Sequence, residues 1–152
     1  SNAIENIFKQ ENNNNLPVVY LSPGWDLLTQ ERVETYSEQF LGDFIIICGH
    51  YEWIDQRIID KYVTNNISIG EYVISSGELS SMVFIDALIR QLPGVLWNKQ
   101  SLEEDSFSLK FDRQKEHPVY TRPEEFLWLK VPKILLSWNH WEIEKWKKTN
   151  LK

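Results

Sequence analysis

A chain of 152 residues, 42% of them hydrophobic, can bury one sizeable core, and no apolar run approaches the ~20 residues of a membrane-spanning helix. A net charge of -6 argues against a nucleic-acid binder held by overall charge, because phosphate contacts need clustered Lys and Arg. The single cysteine, Cys48, excludes an internal disulfide and reads as a small core residue closing an apolar strand rather than a reactive thiol. His50, His117 and His140 lie far apart without paired cysteines or an i, i+4 partner, so no metal site is expected. Ser1–Ala3 reads as a cloning scar and no signal segment follows it, so a single soluble cytoplasmic domain without membrane contact is expected.

Taken in order, Asn12–Asn15 form a polar spacer, and Pro17–Leu21 has the unbroken apolar character of a strand covered on both faces. Thr29 suits the cap of a helix carrying Val33, Tyr36 and Phe40, Gly42 and Asp43 break it, and Phe44–Cys48 is the next buried strand. Ile54–Tyr62 reads as a short helix. Ser75 and Glu78 have capping-box spacing before a helix from about Glu78 to Leu92. Its apolar residues (Leu79, Met82, Val83, Phe84, Ile85, Leu88, Ile89, Leu92) occupy most of its circumference and predict burial on several sides. Residues 99–122 turn charged and loop-like, Lys133–Leu136 reads as strand-like, and a helix runs on through Lys148. Alternating strands and helices predict an α/β fold with a parallel sheet, whose ligands settle beyond the carboxyl ends of the strands. Ser22–Pro23, Gly49–His50 and Ile69–Gly70 all fall there. The late lysines Lys130, Lys133, Lys145, Lys147 and Lys148 could form a local phosphate-contacting face or simply a solvated helix end.

Two loops carry the chemistry, Cys48-Gly49-His50-Tyr51-Glu52-Trp53-Ile54-Asp55 and Ser68-Ile69-Gly70-Glu71-Tyr72-Val73-Ile74-Ser75-Ser76-Gly77-Glu78-Leu79. They resemble the cofactor-binding knot of the bacterial tRNA (guanine-N1)-methyltransferases. Tyr20–Pro23, Leu92–Leu96, Glu103–Phe107, Tyr120–Glu124, Val131–Pro132 and Ser137–Trp146 match the same family in order and spacing. The resemblance implies a SPOUT-type parallel-sheet fold closed by a C-terminal trefoil knot, with the N-terminal part of the sheet missing. On that pattern residues 4–98 are the knotted cofactor domain, 99–130 a linker with the catalytic loop, and 131–152 the start of a helical tRNA-gripping domain.

The implied reaction is methyl transfer from S-adenosyl-L-methionine to N1 of guanosine 37 in tRNA, by a homodimer; a magnesium ion is compatible with it. Position by position, the resemblance makes Asp105 the general base, Arg90 the partner of charge gathering on the guanine oxygen, and Glu52 a positioning group. Without it, Asp105 is one of three acids on a polar linker, Arg90 a helix-terminal cation, and Glu52 a cap for the following helix. Tyr20, Leu21, Ser22, Gly49, Tyr51, Trp53, Ile69, Gly70, Tyr72, Ile74 and Gly77 are the implied cofactor-binding residues.

The chain departs from the family in one consistent way. Trp25, Trp53, Trp97, Trp128 and Trp138, with Trp141 a further candidate, stand where the family has glycine, whereas Trp146 matches a family tryptophan. Ser76 also replaces a glycine. The pattern suggests a gene in which UGA encodes glycine, displayed here as tryptophan. Forcing bulky residues into glycine conformations or closed sites costs roughly 1–3 kcal/mol each, so five could approach a domain's ~5–15 kcal/mol. Most of these indoles are therefore expected in solvent, in relaxed loops or in the cofactor site. Trp53 is expected to obstruct the cofactor, with Trp97 and Trp128 better tolerated near the linker. Two other readings stay open: a non-catalytic module whose tryptophans stack on single-stranded RNA or sugars, and an inactive dimeric scaffold. Returning the tryptophans to glycine should abolish binding by a stacking platform and restore cofactor binding to a methyltransferase.

Overall fold

The computed structural model describes residues 2–49, 54–96 and 105–152. The chain divides into two compact units, residues 1–95 and 96–152.

The first unit contains helix α1 (Asn2–Gln10), strand β1 (Val18–Leu21), α2 (Gln30–Gln39), β2 (Ile45–Ile47), α3 (Gln56–Tyr62), β3 (Asn65–Ile67) and α4 (Gly77–Ile89). The strands form a parallel sheet in the order β2-β1-β3, with Tyr20 paired to Ile47 on one side and Leu21 to Ile67 on the other. This is the α/β arrangement that the alternation predicts. Central β1 has Val18 and Val19 with no exposure, as expected for a strand covered on both faces. Edge strand β2, predicted to be buried, is only half-buried along Ile45–Ile47 because a single neighbour covers its flank. Cys48, predicted as a buried residue, is likewise half-buried, and its Sγ lies 3.1 Å from the Ser81 hydroxyl.

On one face of the sheet, Val19, Leu21 and Ile67 pack with Val33 of α2 and Phe84 and Leu88 of α4. Phe84 is wholly buried and meets Tyr36, Phe40 and Phe44 edge-on, while those three rings stack on one another in sequence. Edge-to-face and offset-stacked rings gain beyond simple area burial, so the side chain of Phe84 locks α4 to α2 and to the entry of β2. The predicted Thr29 cap forms, its hydroxyl accepting from Arg32 N at 3.3 Å. Ile4 of α1 and Ile59 of α3 are also buried, and those helices are tied by a Tyr62–Glu5 hydrogen bond and a 3.5 Å Lys61–Glu5 ion pair.

Helix α4 differs from the sequence expectation in three respects, the first being that it ends at Ile89, short of Leu92. Ser76, not Ser75, is its N-cap and makes no side-chain capping bond; this one-residue shift puts Glu78 out of capping-box register. The Ser80 and Ser81 hydroxyls instead donate to Gly77 O at 2.8 and 2.7 Å. Nor is the helix buried all round: Gly77, Ser80, Ser81, Phe84 and Leu88 face the core, while Leu79, Met82, Val83, Ile85 and Ile89 are exposed.

In the second unit a hairpin pairs β4 (Glu125–Phe126) with β5 (Leu129–Lys130), and helix α5 (His140–Thr149) follows. Lys133–Leu136, predicted as strand-like, is a tight helical turn behind Pro132, whose fixed φ favours a helix start over a continuing strand. His117 lies 6.0 Å from both the Phe111 and Trp146 rings, Tyr120 also meets Trp146, and Lys115 and Lys152 exchange a pair of backbone hydrogen bonds.

Phe84→Ala should cost about 3–5 kcal/mol, the range for deleting a buried phenyl ring. Urea unfolding followed by circular dichroism checks this, and a loss under 1 kcal/mol would contradict the locking role of Phe84.

Candidate functional site

Three parallel strands end together, so the loops that follow them meet. Ser22 N donates to Ile67 O at 3.0 Å, Ser68 N to Asp26 O at 2.9 Å, and Leu28 N to Ser68 O at 2.7 Å, which sews the segment after β1 to the segment after β3. The buried Ser68 hydroxyl accepts from Gly70 N at 3.2 Å and donates to Gly70 O at 3.0 Å, folding the chain into a tight turn.

The closest contact is backbone on backbone. Gly77 N donates to Gly49 O at 3.1 Å, and a Cβ at Gly77 would lie 2.7 Å from Gly49 N and 2.9 Å from Cys48 Cα. Only glycine permits that approach. Gly70 is tight for another reason: a Cβ there would meet the Tyr72 ring at 2.2 Å, but this exposed ring can swing away. Gly49 has ordinary space, its nearest neighbours being Tyr20 and Ile54 at 3.8–3.9 Å.

Together these loops enclose a cavity of about 540 Å³, within the range of small-molecule sites. It is lined by Tyr20–Pro23 at and just past the end of β1, by Gly49 after β2, and by Ile69, Gly70, Tyr72–Gly77 and Ser80 after β3. The structure therefore gathers Tyr20, Leu21, Ser22, Gly49, Ile69, Gly70, Tyr72, Ile74 and Gly77 around one cavity. Tyr51 and Trp53, and Glu52 among the catalytic candidates, lie outside the described residues. Pro23, Val73, Ser75, Ser76 and Ser80 also line the cavity. Pro23 stands in the Tyr20–Pro23 match and Val73, Ser75 and Ser76 in the second loop motif, whereas Ser80 is brought in by the first turn of α4, a helical offset the loop motifs do not display. The wall thus offers backbone amides and carbonyls, small hydroxyls, two tyrosines and aliphatic surface, a donor set suited to a neutral heteroaromatic ring and a polar tail.

Arg90 is exposed at the C-terminal end of α4, its amide donating to Asp86 O. Asp105 is half-buried in the second unit, where its carbonyl accepts from Ser108 N at 3.2 Å. Among the described residues no group of three His, Cys, Asp or Glu side chains could hold a metal ion. The Asp55 carboxylate caps α3 and accepts from the backbone and guanidinium of Arg57. The guanidinium bond, then the backbone bond, lower its pKa from 3.8 to about 2.

A small α/β unit with a glycine-bearing pocket at the carboxyl ends of parallel strands defines an α/β domain with a small-molecule site. Comparison with known proteins specifies which: all of residues 1–152 match the family described as tRNA (Guanine-1)-methyltransferase TrmD, and the chain belongs to that family. Over 144 residues it is 45% identical to a tRNA (guanine-N(1)-)-methyltransferase of Clostridioides difficile, covering 95% of this chain and 60% of the relative. Over 131 residues it is 49% identical to one from Caldicellulosiruptor saccharolyticus, covering 86% and 51%, and over 146 residues 44% identical to one from Oceanobacillus iheyensis, covering 96% and 57%. The chain thus spans about half to three-fifths of the length of these relatives. No helix among the described residues is long and apolar enough to cross a membrane.

Gly77→Ala should cost about 1–3 kcal/mol by forcing backbone apart, whereas Gly70→Ala should cost less, because Tyr72 can move. Thermal unfolding of the two variants checks the order. Asp55 supplies a pH test with a definite sign. A carboxyl whose folded pKa is depressed contributes stability above its unfolded value near 3.8 and loses it as pH falls toward about 2. A carbon-13 titration of Asp55 should report that low midpoint, and Arg57→Ala should raise it.

Proposed function

We propose that the chain carries the cofactor pocket of an S-adenosyl-L-methionine-dependent methyltransferase acting on N1 of guanosine 37 in tRNA, in the cytoplasm. The observation that carries this reading is the glycine-floored cavity, built from the segments after all three strands of a chain belonging to this family. Tyr20–Ser22, Gly49, Ile69, Gly70, Tyr72, Ile74 and Gly77, joined by Tyr51 and Trp53 of the first loop, are the residues that would hold the cofactor. When bound, adenosylmethionine supplies the transferable methyl group on its sulfonium.

The chain's own contribution is to orient guanine and manage its proton. N1 of neutral guanine carries a hydrogen that must leave as nitrogen attacks carbon, so Asp105 is proposed to accept that proton. Negative charge then gathers on O6, and the Arg90 guanidinium is proposed to stabilise it, with Glu52 positioning substrate or cofactor. The exposed apolar side of α4 (Leu79, Met82, Val83, Ile85 and Ile89) supports a homodimer in which a second copy covers it. The trefoil knot and the C-terminal tRNA-gripping domain belong to the same proposal.

The acidic net charge conceals a division that favours RNA contact by the second unit. Residues 96–152 carry eleven Lys and Arg against nine Asp and Glu, whereas residues 1–95 carry five against thirteen. The family membership and the cavity favour the enzyme over a stacking module or an inactive scaffold.

With a tRNA carrying guanosine 37 and methyl-labelled adenosylmethionine, label should appear at N1 of that base. Asp105→Asn should slow transfer by on the order of 10²–10⁴-fold, the usual contribution of a general base, while binding of S-adenosylhomocysteine is retained. Transfer unaffected by that substitution would remove Asp105 from the mechanism, and no binding of S-adenosylhomocysteine either by this protein or by the protein with Trp25, Trp53, Trp97, Trp128 and Trp138 returned to glycine would overturn the proposal itself.

A further inference from the structure

Two tryptophans sit in backbone conformations made for glycine. The β4–β5 hairpin closes through a two-residue loop, Leu127–Trp128, with φ of +46° and +60°. Positive φ at both central positions is the type I′ turn, whose second position strongly favours glycine. Trp138 has φ +57° and follows Ser137, the C-cap of the Lys133–Leu136 turn. A residue in the left-handed region just past a helical cap is also most often glycine. For a bulky side chain such φ values are outliers.

Neither indole compensates for its backbone. Trp128 is 83% exposed and Trp138 88%. Phe107 and Arg113, also at positive φ, are held in a closed loop, with Phe107 N donating to Gln114 O at 2.7 Å and Arg113 Nη1 donating to Phe107 O at 3.0 Å, whereas Leu127 shares the turn of Trp128. The helical tryptophans behave as ordinary ones, Trp146 meeting His117 and Tyr120, and Trp141 lying under the Lys145 ammonium at 5.2 Å. The contrast lies within one unit of one chain, so it is not a general property of its tryptophans.

We infer that the protein made by its own organism has glycine at positions 128 and 138, their codons being UGA read as glycine. Backbone geometry carries glycine at these two positions and the family's glycine pattern carries the codon reading, and neither depends on the chain being an active methyltransferase. Trp25, in an exposed turn without positive φ among the described residues, neither supports nor opposes it. One consequence is functional: an exposed indole pair at these turns is then no RNA-stacking platform, because the native polypeptide lacks it.

Peptide mass spectrometry of the protein isolated from the organism should find glycine at 128 and 138 and tryptophan at 146. Tryptophan at 128 and 138, or UGG codons there, would overturn the inference. A second measurement tests its physical basis. In recombinant protein, Trp128→Gly and Trp138→Gly should each raise the folding equilibrium constant by up to about tenfold, the relief of a left-handed L-residue, whereas Trp146→Gly should lower it. Glycine at 128 and 138 that leaves stability unchanged or reduced would contradict the geometric argument.

Discussion

Everything at the pocket depends on one close approach, that of Gly77 to the Cys48–Gly49 backbone. The 3.1 Å Gly77 N to Gly49 O bond joins the start of α4 to the end of β2, and no side chain fits between them. Because the contact fixes where α4 begins, it also explains why Ser76 is the N-cap and why Ser80 reaches the cavity wall. The remaining walls follow from the parallel register of β1 with both neighbours, which brings three chain segments out on the same side of the sheet.

Phe84 extends that constraint into the core. It lies two turns along the helix from Gly77 and is buried edge-on against Tyr36, Phe40 and Phe44, so one end of α4 is held by backbone and its middle by aromatic packing. The opposite side of the same helix is apolar and exposed, an arrangement that fits a helix serving a pocket, a core and an assembly surface together.

Much of this was legible in the sequence because the relevant patterns are local. The Thr29 cap, the strand at Pro17–Leu21 and the placing of Ser22–Pro23, Gly49 and Ile69–Gly70 at the ligand end of the sheet follow from turn chemistry and βα alternation, whereas Tyr72, Ile74 and Gly77 come from the family resemblance. What was not legible depends on neighbours. The exposure of Ile45–Ile47 follows from the edge position of β2, which no local pattern encodes. The apolar circumference of α4 predicts burial on several sides, yet says nothing about whether a neighbour lies within the chain or beyond it. Lys133–Leu136 has a strand's composition, but Pro132 directs it into a helical turn. The positive φ of Trp128 and Trp138 runs against the residue type itself, so pattern reading from tryptophan could not have placed those turns.

If the loops at the carboxyl ends of the three parallel strands form one adenosyl-cofactor site, amide NMR of the Trp53→Gly protein titrated with S-adenosylhomocysteine will show saturable shifts confined to residues 20–23, 49–54, 69–77 and 80. Unshifted spectra at millimolar ligand, or shifts centred on residues 105–152, would rule that site out.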